Sequence, residues 1–156
     1  MKEILITNMI LQPILIDEDQ TKEIYSNPDC QELFKSYPAY YYKVGYNPPW
    51  IGYFVIHDNK VVGVGGFTGK PKDGRVEIAY GTFKEFEGQG IASFACQQLI
   101  FISKTTDPAI IITAKTSPEH NASTKILQRN GFEFTGIVQD HEIGDAWEWV
   151  YKETAY

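Results

Sequence analysis

The stretch Glu87-Gly88-Gln89-Gly90 constrains this chain more than any other, because it joins a strand-like run, Arg75 to Phe83, to an amphipathic segment from Ile91 to about Ser103. In that segment Ile91, Phe94, Ala95, Leu99 and Ile102 recur at helical spacing, so one face is apolar and must be covered. Glycines at such a junction let the backbone approach a ligand closely. A new helix also offers unpaired N–H groups and the positive end of its dipole to an anion such as a diphosphate. A tight strand-to-helix turn with no ligand is the plain alternative. Two other phosphate loops are excluded: no G-x-G-x-x-G follows the strand, and no G-K-[ST] follows the glycines. The run Gly63-Val64-Gly65-Gly66 precedes no helix and reads as a strand with bulges.

Around this junction the chain reads as one α/β domain spanning residues 1–156. Met9 to Leu15 is strand-like, and Asp17-Glu18-Asp19 opens a polar stretch of helical composition that runs to Phe34. Pro28 interrupts it, which predicts two short helices. Tyr37 to Trp50 holds five of the ten tyrosines and reads as a partly helical lid or connection. Ile51 to His57 and Val61 to Phe67, joined at Asp58-Asn59, form a hairpin. Ala109 to Ala114, with three consecutive isoleucines, is a buried central strand. Ser117 to Asn121 enters an amphipathic helix, Ala122 to Asn130, that stops at Gly131. Phe132 to Val138 and Ala146 to Lys152 close the chain as strands, with Trp147 and Trp149 on one face as core.

Charge narrows the function. With 20 acidic against 14 basic residues the net charge is −6, which argues against nucleic acid held by counterion release and favours a cationic or amine substrate. There is no uncharged apolar run of about 18 residues, and Met1-Lys2-Glu3-Ile4-Leu5 lacks a leader's apolar core. The expectation is a cytoplasmic protein with no membrane partner, monomeric or homodimeric. Cys30 and Cys96 lack ligand-like spacing and His57, His120 and His141 are scattered, so no metal site is expected.

Two segments carry a resemblance: Val76-Glu77-Ile78-Ala79-Tyr80-Gly81 through Glu87-Gly88-Gln89-Gly90-Ile91-Ala92, and Pro118-Glu119-His120-Asn121 through Asn130-Gly131-Phe132. At this separation, with a strand, Gly loop and helix in the first, they resemble the GCN5-related N-acetyltransferase (GNAT) superfamily. Within it they look most like the branch of ribosomal-protein N-terminal acetyltransferases. The likeness covers roughly residues 60 to 152. It implies a mixed central sheet of six to seven strands flanked by about four helices, with two parallel central strands splayed apart to admit acetyl-CoA. On that resemblance the backbone of Tyr80, Gly81 and Thr82 would pair with the pantetheine arm. The N–H groups of Gly88, Gln89, Gly90, Ile91, Ala92 and Ser93 would hold the diphosphate, and Asn121 would lie near the pantetheine or thiol end. An amide-rich arm does complement an open strand edge. The chain departs from the superfamily twice. Glu87 stands where Gln or Arg is usual, a carboxylate near a diphosphate that Lys125 and Arg129, or Lys84, would offset, solvated helix-face charge being their alternative role. Leu127 stands where many members carry a Tyr that protonates the leaving thiolate.

The chemistry asks for a base. An alkyl amine, of pKa about 10, attacks only when neutral. Glu77 is the candidate, set among Val76, Ile78, Ala79 and Tyr80, where desolvation would raise its pKa. A carboxylate paired to Arg75 or a lysine is the alternative. Tyr80 would orient the substrate or relay a proton, or serve as a core aromatic. Tyr40, Tyr42 and Trp50, with Tyr41 and Tyr46, fall where the superfamily places its acceptor site, and aromatic faces suit a cation. Capping of the core is the other role open to these rings. Cys96, inside an apolar helix with no His near it in sequence, is a poor acyl carrier. The expected function is direct acetyl transfer from acetyl-CoA to a primary amine of a small molecule or peptide. A non-catalytic acyl-CoA-binding or sensing module with the same fold is the alternative.

Overall fold

The structure, a computed structural model, describes residues 8–153; Met1 to Leu5 lie outside them. Strands and helices follow in the order β1 (Met9–Pro13), α1 (Pro28–Val44), β2 (Gly52–His57), β3 (Lys60–Phe67), β4 (Arg75–Thr82), α2 (Ile91–Thr106), β5 (Ile111–Thr116), α3 (Ala122–Arg129), β6 (Phe132–Asp140) and β7 (Gly144–Tyr151). The strands form one seven-stranded sheet in the order β1-β2-β3-β4-β5-β7-β6. All neighbours are antiparallel except β4 and β5, which α2 connects as a crossover. This is the mixed α/β architecture expected, with three α-helices and short 3-10 turns at Glu23–Tyr25 and Lys84–Phe86 among the described residues.

Local sequence explains most of these elements. Asp58 and Asn59 take φ values of 51° and 61°, the left-handed pair that a two-residue hairpin between β2 and β3 requires. Residues Val76 and Ile78 of β4 and Ile112 and Ala114 of β5 turn to one face and pack against Cys96 and Leu99 of α2, Leu127 of α3 and Trp149 of β7. Gly65 lets α2 close on β3, since a Cβ there would stand 3.3 Å from Ala95 and Leu99. Trp149 is buried, its indole N–H donating to Thr116 Oγ1 at 3.0 Å, whereas Trp147 is only partly covered.

Helix α1 corrects the sequence reading. Pro28 starts this helix, and Tyr37 to Val44 of the segment read as a partly helical lid form its second half, with Gly45 to Trp50 following outside it. Proline at the first helical position has no intrahelical N–H to lose, and the Asn27 side chain caps the turn by accepting from the Asp29 N–H at 2.7 Å. Pro38 sits inside the helix, where a proline costs an isolated helix about 3 kcal/mol. Burial of Cys30, Phe34 and Tyr41 along one side offsets it. Tyr41 also ties α1 to the sheet, donating to Ile14 O at 2.7 Å and accepting from the Gly52 N–H at 3.1 Å.

Candidate active site

The β4–β5 ladder runs only from Arg75–Ile111 to Ile78–Ala114, while β4 continues to Thr82 against β3 alone. The β5-facing edge of Ala79 to Thr82 therefore has no strand partner among the described residues, which is the splay expected of the two parallel strands. Two cavities meet at this open end, and both are bordered by Tyr80 and Gly81.

The larger, about 660 Å³, lies between the end of β4, the Gly loop and the starts of α2 and α3. The first helical bond of α2 is Phe94 N–H to Gly90 O, so the N–H groups of Ile91, Ala92 and Ser93 take no part in the helical ladder. No side chain caps this end and no acid sits in its first turn. Gly88 and Gly90 hold φ of 84° and 78°, and nothing stands within 4 Å of a Cβ added at either, so conformation rather than space calls for glycine. Glu87, Lys125 and Arg129 line the cleft, which sets two cations against one carboxylate; Lys84 does not line it.

Eight of the cofactor candidates line this cleft: Gly81, Thr82, Glu87, Gly88, Gly90, Ile91, Ala92 and Ser93. Gln89 and Asn121 do not. Asn121 is the N-cap of α3, its side chain accepting from the Thr124 N–H at 3.2 Å while its own N–H donates to Thr124 Oγ1 at 2.9 Å. That capping box engages the carbonyl oxygen of its amide. Ser123, Lys125, Ile126 and Arg129 of α3 complete the wall. The i, i+4 spacing of Lys125 and Arg129 is the signal for the two cations.

The smaller cavity, about 360 Å³, lies between α1 and the sheet. Leu33, Ser36, Tyr37 and Tyr40 form one wall, Val64 and Phe67 another, and Gly52, Gly65, Gly66 and Gly81 leave much of its surface as bare backbone. Of the acceptor candidates, Tyr40 lines it, with its hydroxyl donating to Phe67 O at 2.8 Å. Tyr42 and Trp50 do not. Tyr42 falls about 200° round the helix from Tyr40 and is 93% exposed, and Trp50 packs edge-on to Phe67 at 5.0 Å. Tyr37 takes their place in the wall, and Gly52 makes room for its ring: a Cβ on Gly52 would stand 2.5 Å from the Tyr37 hydroxyl. Unlike Tyr40 and Tyr41, Tyr37 has no hydrogen-bond partner for its hydroxyl among the described residues. The spacing of Leu33, Ser36, Tyr37 and Tyr40 marks one helical face, a signal hidden when the segment is divided before Tyr37.

Glu77 lies on the same face of β4 as Ala79 and Gly81 but lines neither cavity. Burial raises its pKa, with Lys115 opposing and the charges of Asp140 and Glu148 adding to the rise. Lys115 Nζ stands 3.4 Å from Glu77 Oε1 and 3.8 Å from Asp140 Oδ1, while Arg75 pairs instead with Glu148 at 3.6 Å. Glu77 is thus both desolvated and lysine-paired. Its charge reaches the wall of the smaller cavity, since the Tyr40 phenol is raised first by burial and then by Glu77. The Tyr80 hydroxyl stands 3.5 Å from Ser123 O across the cleft, and burial raises its pKa, keeping it protonated at neutral pH. Leu127 is buried in the core. Burial pushes the Cys96 thiol up to about 12, so it is no nucleophile near neutrality. Among the described residues no group of three or more His, Cys, Asp or Glu side chains is placed to hold a metal ion. No described helix is long and apolar enough to cross a membrane.

Residues 8–133 match the family model described as an acetyltransferase (GNAT) domain. The uncharacterized N-acetyltransferase p20 of Bacillus licheniformis is 35% identical over 89 residues, covering 56% of this chain and 50% of that protein. The uncharacterized N-acetyltransferase YjdG of Bacillus subtilis is 31% identical over 104 residues, covering 65% and 58%. The chain thus spans little more than half the length of these curated relatives. Among solved structures, RimL, a ribosomal L7/L12 alpha-N-protein acetyltransferase in complex with coenzyme A, superposes with a TM-score of 0.65 at 18% identity over 94% of both chains. The ribosomal-protein-S5-alanine acetyltransferase of Vibrio fischeri does so with 0.64 at 15% identity over 93% of both. At these identities the likeness is one of fold.

Proposed function

Because this chain belongs to the GNAT acetyltransferase family, we propose that it is an acetyl-CoA-dependent N-acetyltransferase acting directly on a primary amine of a small molecule or peptide. One observation carries the reading: two unlike cavities share the wall formed by Tyr80 and Gly81, so groups bound on either side meet at the open end of β4. The larger suits an anionic, amide-rich ligand, with free helix N–H groups, two cations and an unpaired strand edge. The smaller suits an amine that carries apolar surface.

Acetyl-CoA, the co-substrate, supplies the activated acetyl thioester. The residues around it do the rest. Glu77, raised by burial, would accept the ammonium proton through ordered water, since it lines neither cavity. Lys115, 3.4 Å away, opposes the rise that burial imposes on Glu77 and so favours its ionised form. Tyr80, at the shared wall, would orient the acceptor or pass a proton. The amine nitrogen gains the acetyl group, and the departing thiolate takes up a proton.

Thiol release from acetyl-CoA, measured across a panel of amines and peptides, tests this reading. Acetyl-CoA that stabilises the fold with no thiol released from any acceptor would identify a non-catalytic acyl-CoA-binding or sensing module instead. Glu87 in the cleft and Leu127 in the core favour that second reading.

A further inference from the structure

We infer that the acceptor is a singly charged primary amine on a compact apolar body, taken as a free monoamine or as the first residue of a peptide, and is not a polyamine or aminoglycoside. This rests on the assignment of the α1-side cavity to the acceptor. Among the described residues no Asp or Glu lines that cavity; the hydroxyl-bearing residues that α1 brings to it are Ser36, Tyr37 and Tyr40. An ammonium drawn into such a space loses hydration, and each additional one needs a counterion that the lining does not supply. The carboxylate on this face of β4, Glu77, is already engaged by Lys115 at 3.4 Å. One ammonium can be served, by the Tyr37 hydroxyl and by aromatic faces; two or more cannot.

Shape points the same way. Gly66 packs so tightly on β2 that a Cβ there would stand 2.8 Å from Gly52 Cα, so this part of the surface is closed backbone with no side chain to meet a polar acceptor. Leu33 and Val64 are among the apolar residues lining the remaining volume of about 360 Å³, room for one small apolar body. The net charge of −6 draws amines of every kind toward the protein, but it does not select among them once the amine is inside.

The test uses the full chain with acetyl-CoA and compares phenethylamine, 3-methylbutylamine, spermidine, an aminoglycoside and a peptide beginning with Leu. Turnover is read by thiol release and binding by calorimetry. The expected result is at least a tenfold preference for the monoamines or the Leu peptide over spermidine, in kcat/KM and in Kd; whichever of those two is preferred names the source. Spermidine or the aminoglycoside bound within threefold of the monoamines overturns the inference, as does binding of no monoamine or peptide. Selective monoamine binding without thiol release sinks the acetyltransfer reading while keeping this one, and turnover that prefers spermidine does the reverse.

Two variants tie the selectivity to the cavity. Ser36→Glu places a carboxylate on an exposed position of the wall and is expected to move the spermidine-to-phenethylamine ratio at least tenfold toward spermidine. An unchanged ratio in a folded Ser36→Glu protein rejects the site. Tyr37→Phe is expected to raise the acceptor KM several-fold with kcat and melting temperature held; a KM that stays put removes Tyr37 from acceptor binding.

Discussion

The two cavities that meet at Tyr80 and Gly81 differ in what they are made from. The cleft proposed for the cofactor draws on one short run of chain, Tyr80 to Ser93, and on α3; the donors it offers include backbone N–H groups left free by a helix start. The cavity proposed for the acceptor draws four residues from α1, one from β2, four from β3 and three from β4, and its character comes from which side chains are missing as much as from those present. A backbone site tolerates a departure such as Glu87, because its donors do not depend on side-chain identity. A cavity of dispersed side chains and glycines has no such tolerance, so on the proposed reading specificity would rest there.

The strongest way to break this comparison is Glu77→Gln. Loss of the base is expected to lower turnover about 100-fold or more and to leave acetyl-CoA affinity within about twofold, read by thiol release and calorimetry. Turnover within a few-fold of wild type across the pH range removes Glu77 from the base role.

Gly52→Ala tests the acceptor side alone. Its Cβ would stand 2.5 Å from the Tyr37 hydroxyl, so the ring must shift. The expected cost is about 1–3 kcal/mol of stability and about a tenfold rise in acceptor KM, with the acetyl-CoA Kd unchanged. Lys125→Ala and Arg129→Ala should show the opposite pattern. Each is expected to weaken acetyl-CoA binding about fivefold, less at high salt, with acceptor KM unmoved. Equal effects on both ligands from either side would dissolve the distinction between the cavities.

The smallest expected effect concerns pH. Glu77 must be ionised to accept a proton, so activity falls as pH drops through its pKa, which burial places above the ordinary value of 4.5. Lys115 holds that pKa down, so Lys115→Met should move the acid limb of the rate profile to higher pH while the plateau rate stays close to wild type. A limb that does not move separates Lys115 from Glu77.

How legible each side was follows from the same contrast. The strand, Gly loop and helix were readable because hydrophobic period, glycine and chain continuity all act within about twenty residues. The wall of the acceptor cavity was not. Pro28 reads as a break by local rules, yet it occupies the one helical position where proline costs nothing, and Pro38 is carried by the burial of Phe34 and Tyr41. With α1 divided, Tyr37 and Tyr40 no longer share a visible face, and attention falls on Tyr42 and Trp50, which lie elsewhere. Asn121 shows a related confusion: an Asn just before a helix satisfies a capping box and a ligand site equally well in sequence, and only the Thr124 partner distinguishes them.

By itself, then, the sequence determined the α/β class, the helix N-terminus beside a strand end, and an acidic carboxylate among apolar neighbours. These depend on residues close together in the chain. Tertiary structure decided where the β4–β5 ladder stops, which tyrosines line the smaller cavity, that Lys115 meets Glu77, and that no Asp or Glu among the described residues lines that cavity. Those outcomes depend on packing between residues tens of positions apart, where burial of an apolar face overrides local preference and a missing side chain matters as much as a present one.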